Sequence, residues 1–342
     1  MAAEPAPGPL YSVIVPAYQA EATIGKCLEA LAAQSLARGL YEVIVVDDGS
    51  TDGTAGQIRR FPIRYIRQDN RGPAVARNRG ACEARGGIIL FTDADCMPAP
   101  TWIEEMTRPF ADARVSAVKG AYRTPQRSLT ARFAQIEFEE RFEMLAGAES
   151  IDMVDTYSAA FRREVFFGQG GFDESFPSAN NEDTDLSYKL SIAGHRMVFN
   201  PGAIVHHLGH PESVARYFRV KLTRGYWRMV VYRRYPKKMV RDTYTPKTLK
   251  VQTLSMLALA GLVPLLPFTP YAFFAFALVL WAFLVSTLPF TVFAMQRDMV
   301  VGLICPWYLA VRGMAIGLGV VCYFLGIRPF GGRSRVLNPG SA

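Results

Sequence analysis

Along the first hundred residues, short apolar runs alternate with amphipathic stripes; beyond residue 250 the apolar residues form long, nearly unbroken blocks. Residues 11–15 (YSVIV) make a β-branched run closed by Pro16, the pattern of a buried strand. Residues 21–34 place Ile24, Cys27, Leu28 and Leu31 on one helical face. A second strand (41–46), a Gly/Ser turn with a helix from Thr54, and a weaker strand (63–67) come next. A helix over 73–84 follows, with Pro73 in its first turn where the missing N–H costs little, and then a strand over 88–91. This alternation predicts an α/β fold, a mostly parallel sheet with helices on both faces. From about Ser116 the alternation loosens, and strands and helices mix less regularly.

The late blocks cover about 251–268, 271–295 and 299–325, and between Leu254 and Leu325 the only charges are Arg297, Asp298 and Arg312. The second block is long enough to cross a hydrocarbon core of roughly 30 Å. The first ends among Pro264, Pro267 and Pro270. The third carries Arg312 near its middle, where a charge costs on the order of 3 kcal/mol. It is therefore expected to be re-entrant, broken near Pro306 or Arg312-Gly313, with Arg312 facing the protein or an acceptor phosphate. In the rival arrangement blocks two and three form the hairpin and block one lies in the interface. Either keeps the tail from Arg328 in the cytoplasm.

Charge sharpens that picture. Of a net +8, more than the whole sits between Arg216 and Lys250, where twelve Lys/Arg face one acid, Asp242. No recognised nucleic-acid motif accompanies the run, so it is read as lying on the anionic cytoplasmic leaflet, with no nucleic-acid partner. The expected organisation is a disordered start (1–9), a catalytic domain (10–210), a basic interfacial section (211–250), membrane-embedded helices (251–327) and a cytoplasmic tail (328–342). Five cysteines without a CxxC suggest a reducing compartment and no zinc site. The opening MAAEPAPGPL has neither the basic nor the apolar part of a signal peptide.

Polar groups gather just past the strand ends, where open α/β sheets bind ligands. Asp93-Ala94-Asp95 points two carboxylates near one spot, a set that suits Mg²⁺ or Mn²⁺ completed by substrate phosphates; the plain alternative is a solvated acidic turn. Asp47-Asp48-Gly49-Ser50-Thr51-Asp52 delivers adjacent acids into a turn, with Asp48 suited to a base N–H and Asp52 or Thr51 to the Asx turn. Asn180 to Leu186 (NNEDTDL) opens a helix with acids that either complement its dipole or accept a proton from an attacking hydroxyl.

Six motifs in order, VIVPAY (13–18), VVDDGSTDGT (45–54), GPAVARNRG (72–80), FTDAD (91–95), GGFDE (170–174) and NEDTDL (181–186), resemble those of family 2 glycosyltransferases with the GT-A, Rossmann-like fold. The resemblance covers roughly residues 10–210. It implies that Pro16, Ala17, Tyr18 and Asp48 surround the nucleotide base and that Arg77 lies near the donor. Asp93 would face ribose or metal, Asp95 would bind the metal, and Asp183 would act as general base, with Glu182 next to it on the acceptor side. The implied reaction is an inverting, metal-dependent transfer from a UDP- or GDP-sugar to a lipid or lipid-linked acceptor. A His ending a late strand completes the metal site in some GT-A enzymes, which makes His206 a candidate ligand; an ordinary hydrogen-bonding His is the alternative.

The match has gaps. Thr156 to Arg163 (TYSAAFRR) stands where relatives carry Gly and Asn before an Arg pair, and the processive signature QxxRW is missing. Long-chain polymer extrusion is not expected. Two other functions compete: a non-catalytic membrane scaffold, and a sugar-1-phosphate nucleotidyltransferase. The latter wants an N-terminal Gly-rich phosphate loop followed by Arg, and PAYQAEATIG has none.

Overall fold

The structure, a computed structural model, describes residues 8–176 and 181–329. Asn180, Arg333 and Arg335 of the sequence arguments lie outside these.

The strands are β1 (Tyr11–Ala17), β2 (Tyr41–Asp47), β3 (Arg64–Arg67), β4 (Ile88–Phe91), β5 (Cys96–Pro98), β6 (Val115–Arg123), β7 (Ala159–Arg162) and β8 (Arg196–His207). Between them run α1 (Ile24–Ala32), α2 (Thr54–Ile58), α3 (Pro73–Glu83), α4 (Trp102–Thr107), α5 (Leu129–Ala146), α6 (Arg163–Gly168) and α7 (Glu182–Ile192). After β8 come α8 (Val214–Arg234), α9 (Pro236–Val240), α10 (Lys247–Leu262), α11 (Pro270–Arg297) and α12 (Met299–Phe324).

The sheet order is β3-β2-β1-β4-β7-β6-β8-β5. Its first half, β3 to β4, is parallel; β7 and β5 run antiparallel to their neighbours, and β6 pairs β8 in parallel. The expected parallel α/β alternation thus describes the half from β3 to β4, and the loosened pattern after Ser116 becomes the mixed half. All seven residues of β2 are buried, as befits a strand covered on both faces. Helix α3 closes on β1 through Gly80, where a Cβ would come within 2.5 Å of the Ile14 side chain.

The chain divides into two compact units. The first comprises the chain up to Pro125 together with 145–209, and holds the whole sheet. The second joins 126–144, most of α5, to the described chain after 209.

Within the second unit α8 crosses α12 where both are small: a Cβ on Gly225 would meet the Ile316 carbonyl at 2.6 Å, and one on Gly319 the Leu222 carbonyl at 2.2 Å. Helix α12 runs without interruption through Pro306 and Arg312-Gly313, so the expected break is absent. The reason is packing. Arg312 is 1% exposed and donates to Glu137 of α5 (2.8 Å) and Gln252 of α10 (2.6 Å). Glu137 also accepts from Lys221 (2.8 Å) and the Tyr217 hydroxyl (2.9 Å). Burial alone would raise the Glu137 pKa, but the charges of Lys221, Arg312 and Arg141 hold it far below the usual carboxylate range. Arg312 therefore faces the protein, with its two terminal nitrogens bonded to Glu137 and Gln252. The three apolar segments, Lys247–Leu265, Pro270–Arg297 and Met299–Phe324, are each long and apolar enough to cross a membrane.

Candidate active site

The carboxyl ends of β1, β2 and β4 carry the motif residues on three successive loops. After β2, Asp47 accepts from the Ser50 N–H and the Tyr65 hydroxyl, each at 2.8 Å. Asp48 is 3% exposed; its oxygens accept from Gln68 Nε2 (2.7 Å), the Arg71 N–H (2.9 Å) and the Gly72 N–H (2.8 Å). A carboxylate offers about four acceptor positions. Asp48 thus anchors the loop that starts α3 and keeps about one position for anything else. Asp52 makes the anticipated turn, accepting from the Thr54 N–H at 3.1 Å. Gln19 went unnoticed in the sequence: its φ of 50° turns the chain after Tyr18, and its amide oxygen accepts from the Thr51 and Asp52 N–H groups. Ala17 is buried, Pro16 partly so, and Tyr18 stands 54% exposed beyond the strand.

Helix α3 joins the motifs to one another. Asn78 exchanges two hydrogen bonds with the Phe172 backbone (2.8 and 3.0 Å), clasping the GGFDE segment. Arg77, 2% exposed, donates to Asp93 at 2.8 Å and to Glu182, the first residue of α7, at 2.7 Å. Burial works against that guanidinium charge, and Asp93 with Glu182 more than restores it. Asp183 follows in the first turn of α7, part-exposed, with Oδ1 accepting from the Thr184 N–H at 2.7 Å. Its charge acts on Arg77 as well, so all four groups share one field.

On the other side of the DxD turn stands Asp95. Its pKa is raised by burial and by Asp93, with His207 pulling back. His207 Nε2 lies 3.7 Å from Asp95 Oδ2. The expected ligand His206 is exposed and is not the residue beside Asp95. Strand parity decides this. Ala203 and Val205 point inward, so 207 shares their face and 206 takes the opposite one. That parity was available in the sequence; Ile204, also apolar, disguised it. Gly209 packs so closely that a Cβ there would sit 2.2 Å from Asp95 Oδ2, a constraint no motif announced. Behind the turn, the Thr92 hydroxyl bonds the Tyr157 carbonyl (2.9 Å), within the segment that departs from the expected pattern. Buried Lys119 pairs with Asp155 and meets the Tyr157 hydroxyl at 3.0 Å.

Helix α3, the turn after β4, the N-terminus of α7 and the end of β8 thus bring Arg77, Asp93, Asp95, Glu182, Asp183 and His207 into connected groups. Residues 12–167 match the family described as glycosyl transferase family 2. The chain carries a family 2 glycosyltransferase domain. The transferase domain is similar to glycosyltransferase AglE of Haloferax volcanii, 28% identical over 226 residues, 62% of this chain and 72% of that protein. It is also similar to validoxylamine A glucosyltransferase of Streptomyces hygroscopicus, 29% identical over 54% of this chain and 49% of the relative. The chain therefore spans only about half the length of that second relative. Among solved structures, the mannosyltransferase PcManGT of Pyrobaculum calidifontis, in complex with GDP-Man and Mn²⁺, superposes with a TM-score of 0.61. It is 19% identical, covering 94% of this chain and 88% of that one. The transferase domain thus has the GT-A fold.

Proposed function

We propose that this chain transfers a sugar from a UDP- or GDP-sugar to a lipid or lipid-linked acceptor at the cytoplasmic face of a membrane, with inversion at the anomeric carbon. One observation carries the reading: Arg77 ties Asp93, at the end of a central strand, to Glu182 at the start of α7. That link supports reading the residues expected on the donor side and the expected base, Asp183, as parts of one site.

A half-exposed carboxylate beside an imidazole nitrogen is a donor set that suits a divalent ion. Asp95 and His207, with Asp93 alongside, would hold Mg²⁺ or Mn²⁺. When bound, such an ion supplies charge neutralisation to a departing diphosphate. The neighbour from Pyrobaculum calidifontis, held with GDP-Man and Mn²⁺, supports this choice of ion and donor class. Asp183 accepts the proton of the attacking hydroxyl. Arg77 fixes Asp93 and Glu182 in place. Helices α10 and α11 anchor the chain in the bilayer, and the basic residues of α8 and α9 meet its anionic headgroups.

A panel of nucleotide sugars incubated with Mn²⁺ tests the proposal, with and without membrane lipid extract. Cleavage of one donor class, stimulated by lipid, is expected; no cleavage of any donor in either condition would leave the scaffold reading standing.

A further inference from the structure

The residue after the DxD motif is Cys96, fully buried, and it pairs directly opposite His207 in the antiparallel β5–β8 ladder. Directly opposed residues in such a ladder project from the same face with Cβ atoms about 5 Å apart. Asp95 precedes Cys96 and is held by the Leu208 N–H donating to its carbonyl at 2.8 Å. The result is a compact set of three different donors. Cys96 Sγ is 3.9 Å from Asp95 Oδ1, Asp95 Oδ2 is 3.7 Å from His207 Nε2, and one ligand atom from each residue lies within 4.8 Å of the others. Its surroundings are close: the Tyr122 ring lies 5.5 Å from the His207 ring, and the missing Cβ at Gly209 leaves the Asp95 carboxylate the space it occupies.

We propose that Asp95, Cys96 and His207 form a thiophilic metal site, taking Zn²⁺ through one oxygen, one sulfur and one nitrogen with solvent in the fourth position. This rests on the reading of Asp95 and His207 as metal ligands given above, and it adds the sulfur that a Mg²⁺ or Mn²⁺ site does not use. Zinc bonds of about 2.0–2.3 Å at tetrahedral angles need ligand atoms roughly 3.3–3.6 Å apart, so atoms now up to 4.8 Å apart close by at most about 1.5 Å. The thiol proton leaves when sulfur binds the ion. The Gly209 N–H now donates to His207 Nδ1 at 3.1 Å. Coordination through Nε2 shifts the ring proton to Nδ1, at the cost of that one hydrogen bond. Because Asp95 belongs to both sets, Zn²⁺ excludes the hard ion. The intrinsic affinity order, Mn²⁺ well below Zn²⁺, then makes Zn²⁺ an inhibitor of Mn²⁺-dependent transfer.

The test uses the full chain in detergent, stripped of metal, with no donor or acceptor present. Titrated Co²⁺ should produce a sulfur-to-metal charge-transfer band that saturates at one ion per chain. The band should vanish in Cys96→Ser and in Cys96→Ala and persist in Cys27→Ser. By calorimetry, Zn²⁺ affinity should fall at least about tenfold in Cys96→Ser, since even outer-shell changes cost 10–100-fold, with Mn²⁺ affinity within about threefold of wild type. A wild-type spectrum without the band, a band that survives both Cys96 variants, or equal losses for the two ions would each overturn the site. Two variants are used so that a folding defect in one, visible by melting, does not decide the result. A chain with the Cys96-dependent band but no sugar transfer keeps the site and refutes the functional reading; transfer without the band does the reverse.

Discussion

Asp183 sits one residue into α7, its Oδ1 committed to the Thr184 N–H, while the neighbouring Glu182 is buried against Arg77. Two adjacent acids therefore differ in setting: Glu182 is buried against the arginine, and Asp183 is part-exposed. Asp183→Asn preserves shape but cannot take a proton. Transfer should fall by at least about a hundredfold, the low end of general-base contributions, while donor affinity measured by calorimetry stays within a few-fold. Transfer near the wild-type rate would remove Asp183 as base. Asp183, Asp93, Asp95 and Arg77 could be picked out from motif order alone. The partners of Arg77 could not, because Glu182 lies 105 positions away.

Elements are tied together at two buried carboxylates. Glu42 on β2 accepts from the Ser12 hydroxyl on β1 (2.8 Å) and from the Arg85 N–H and side chain after α3 (2.8 to 3.2 Å). Burial raises its pKa, but the Arg85 and Ser12 hydrogen bonds and the Arg85 charge outweigh that, and the net shift is downward from 4.5. A depressed folded-state pKa means stabilisation that is complete above the unfolded value and lost as pH falls through the folded one. Glu42→Gln should therefore melt below wild type at neutral pH, the gap closing below about pH 4.5. A gap independent of pH would refute the linkage. Glu137 ties α5 to α8 and α12, and through Arg312 and Gln252 to α10; Gln252 Nε2 in turn reaches the Ser286 carbonyl of α11 at 3.0 Å. Glu137→Ala strands two buried cations and should cost about 3–5 kcal/mol, the usual penalty for breaking a buried pair from one side. Thermal unfolding in detergent would show it, and an unchanged midpoint would mean that the pair contributes no stability.

At the scale of the whole molecule, the second unit bears on topology. Along α12, Tyr308 stacks on Phe133 and packs near Tyr217, and Tyr323 packs on Tyr226. The helices that supply Phe133, Tyr217 and Tyr226 are charged ones: α8 carries Arg216, Arg219, Lys221, Arg224 and Arg228 within about four turns. Hydrocarbon tolerates charges in such number poorly. α12 is therefore expected to run beside α8 near the interface, leaving α10 and α11 as the crossing hairpin. In a background without native cysteines, a Cys at Thr269, at the α10–α11 connection, should react with an impermeant thiol reagent in intact cells. A Cys at Ser341, outside the described residues, should not. Labelling at Ser341 from outside would establish an odd number of crossings.

The sequence by itself determined the strand–helix alternation, the polar turns at the strand ends and the three apolar segments. Each depends on periodicity or on short-range turn chemistry, which neighbouring residues express directly. Strand β4 falls on 88–91 as expected, and α3 begins at Pro73. Tertiary structure alone decided which groups meet. Glu137 neutralises Arg312 across 175 positions and so lets α12 continue where an isolated charge argued for a break. Cross-strand pairing put Cys96, already beside the DxD carboxylate in sequence, directly opposite the distant His207. Such meetings depend on sheet order and helix docking, set by the summed burial of many side chains, and no local pattern encodes them.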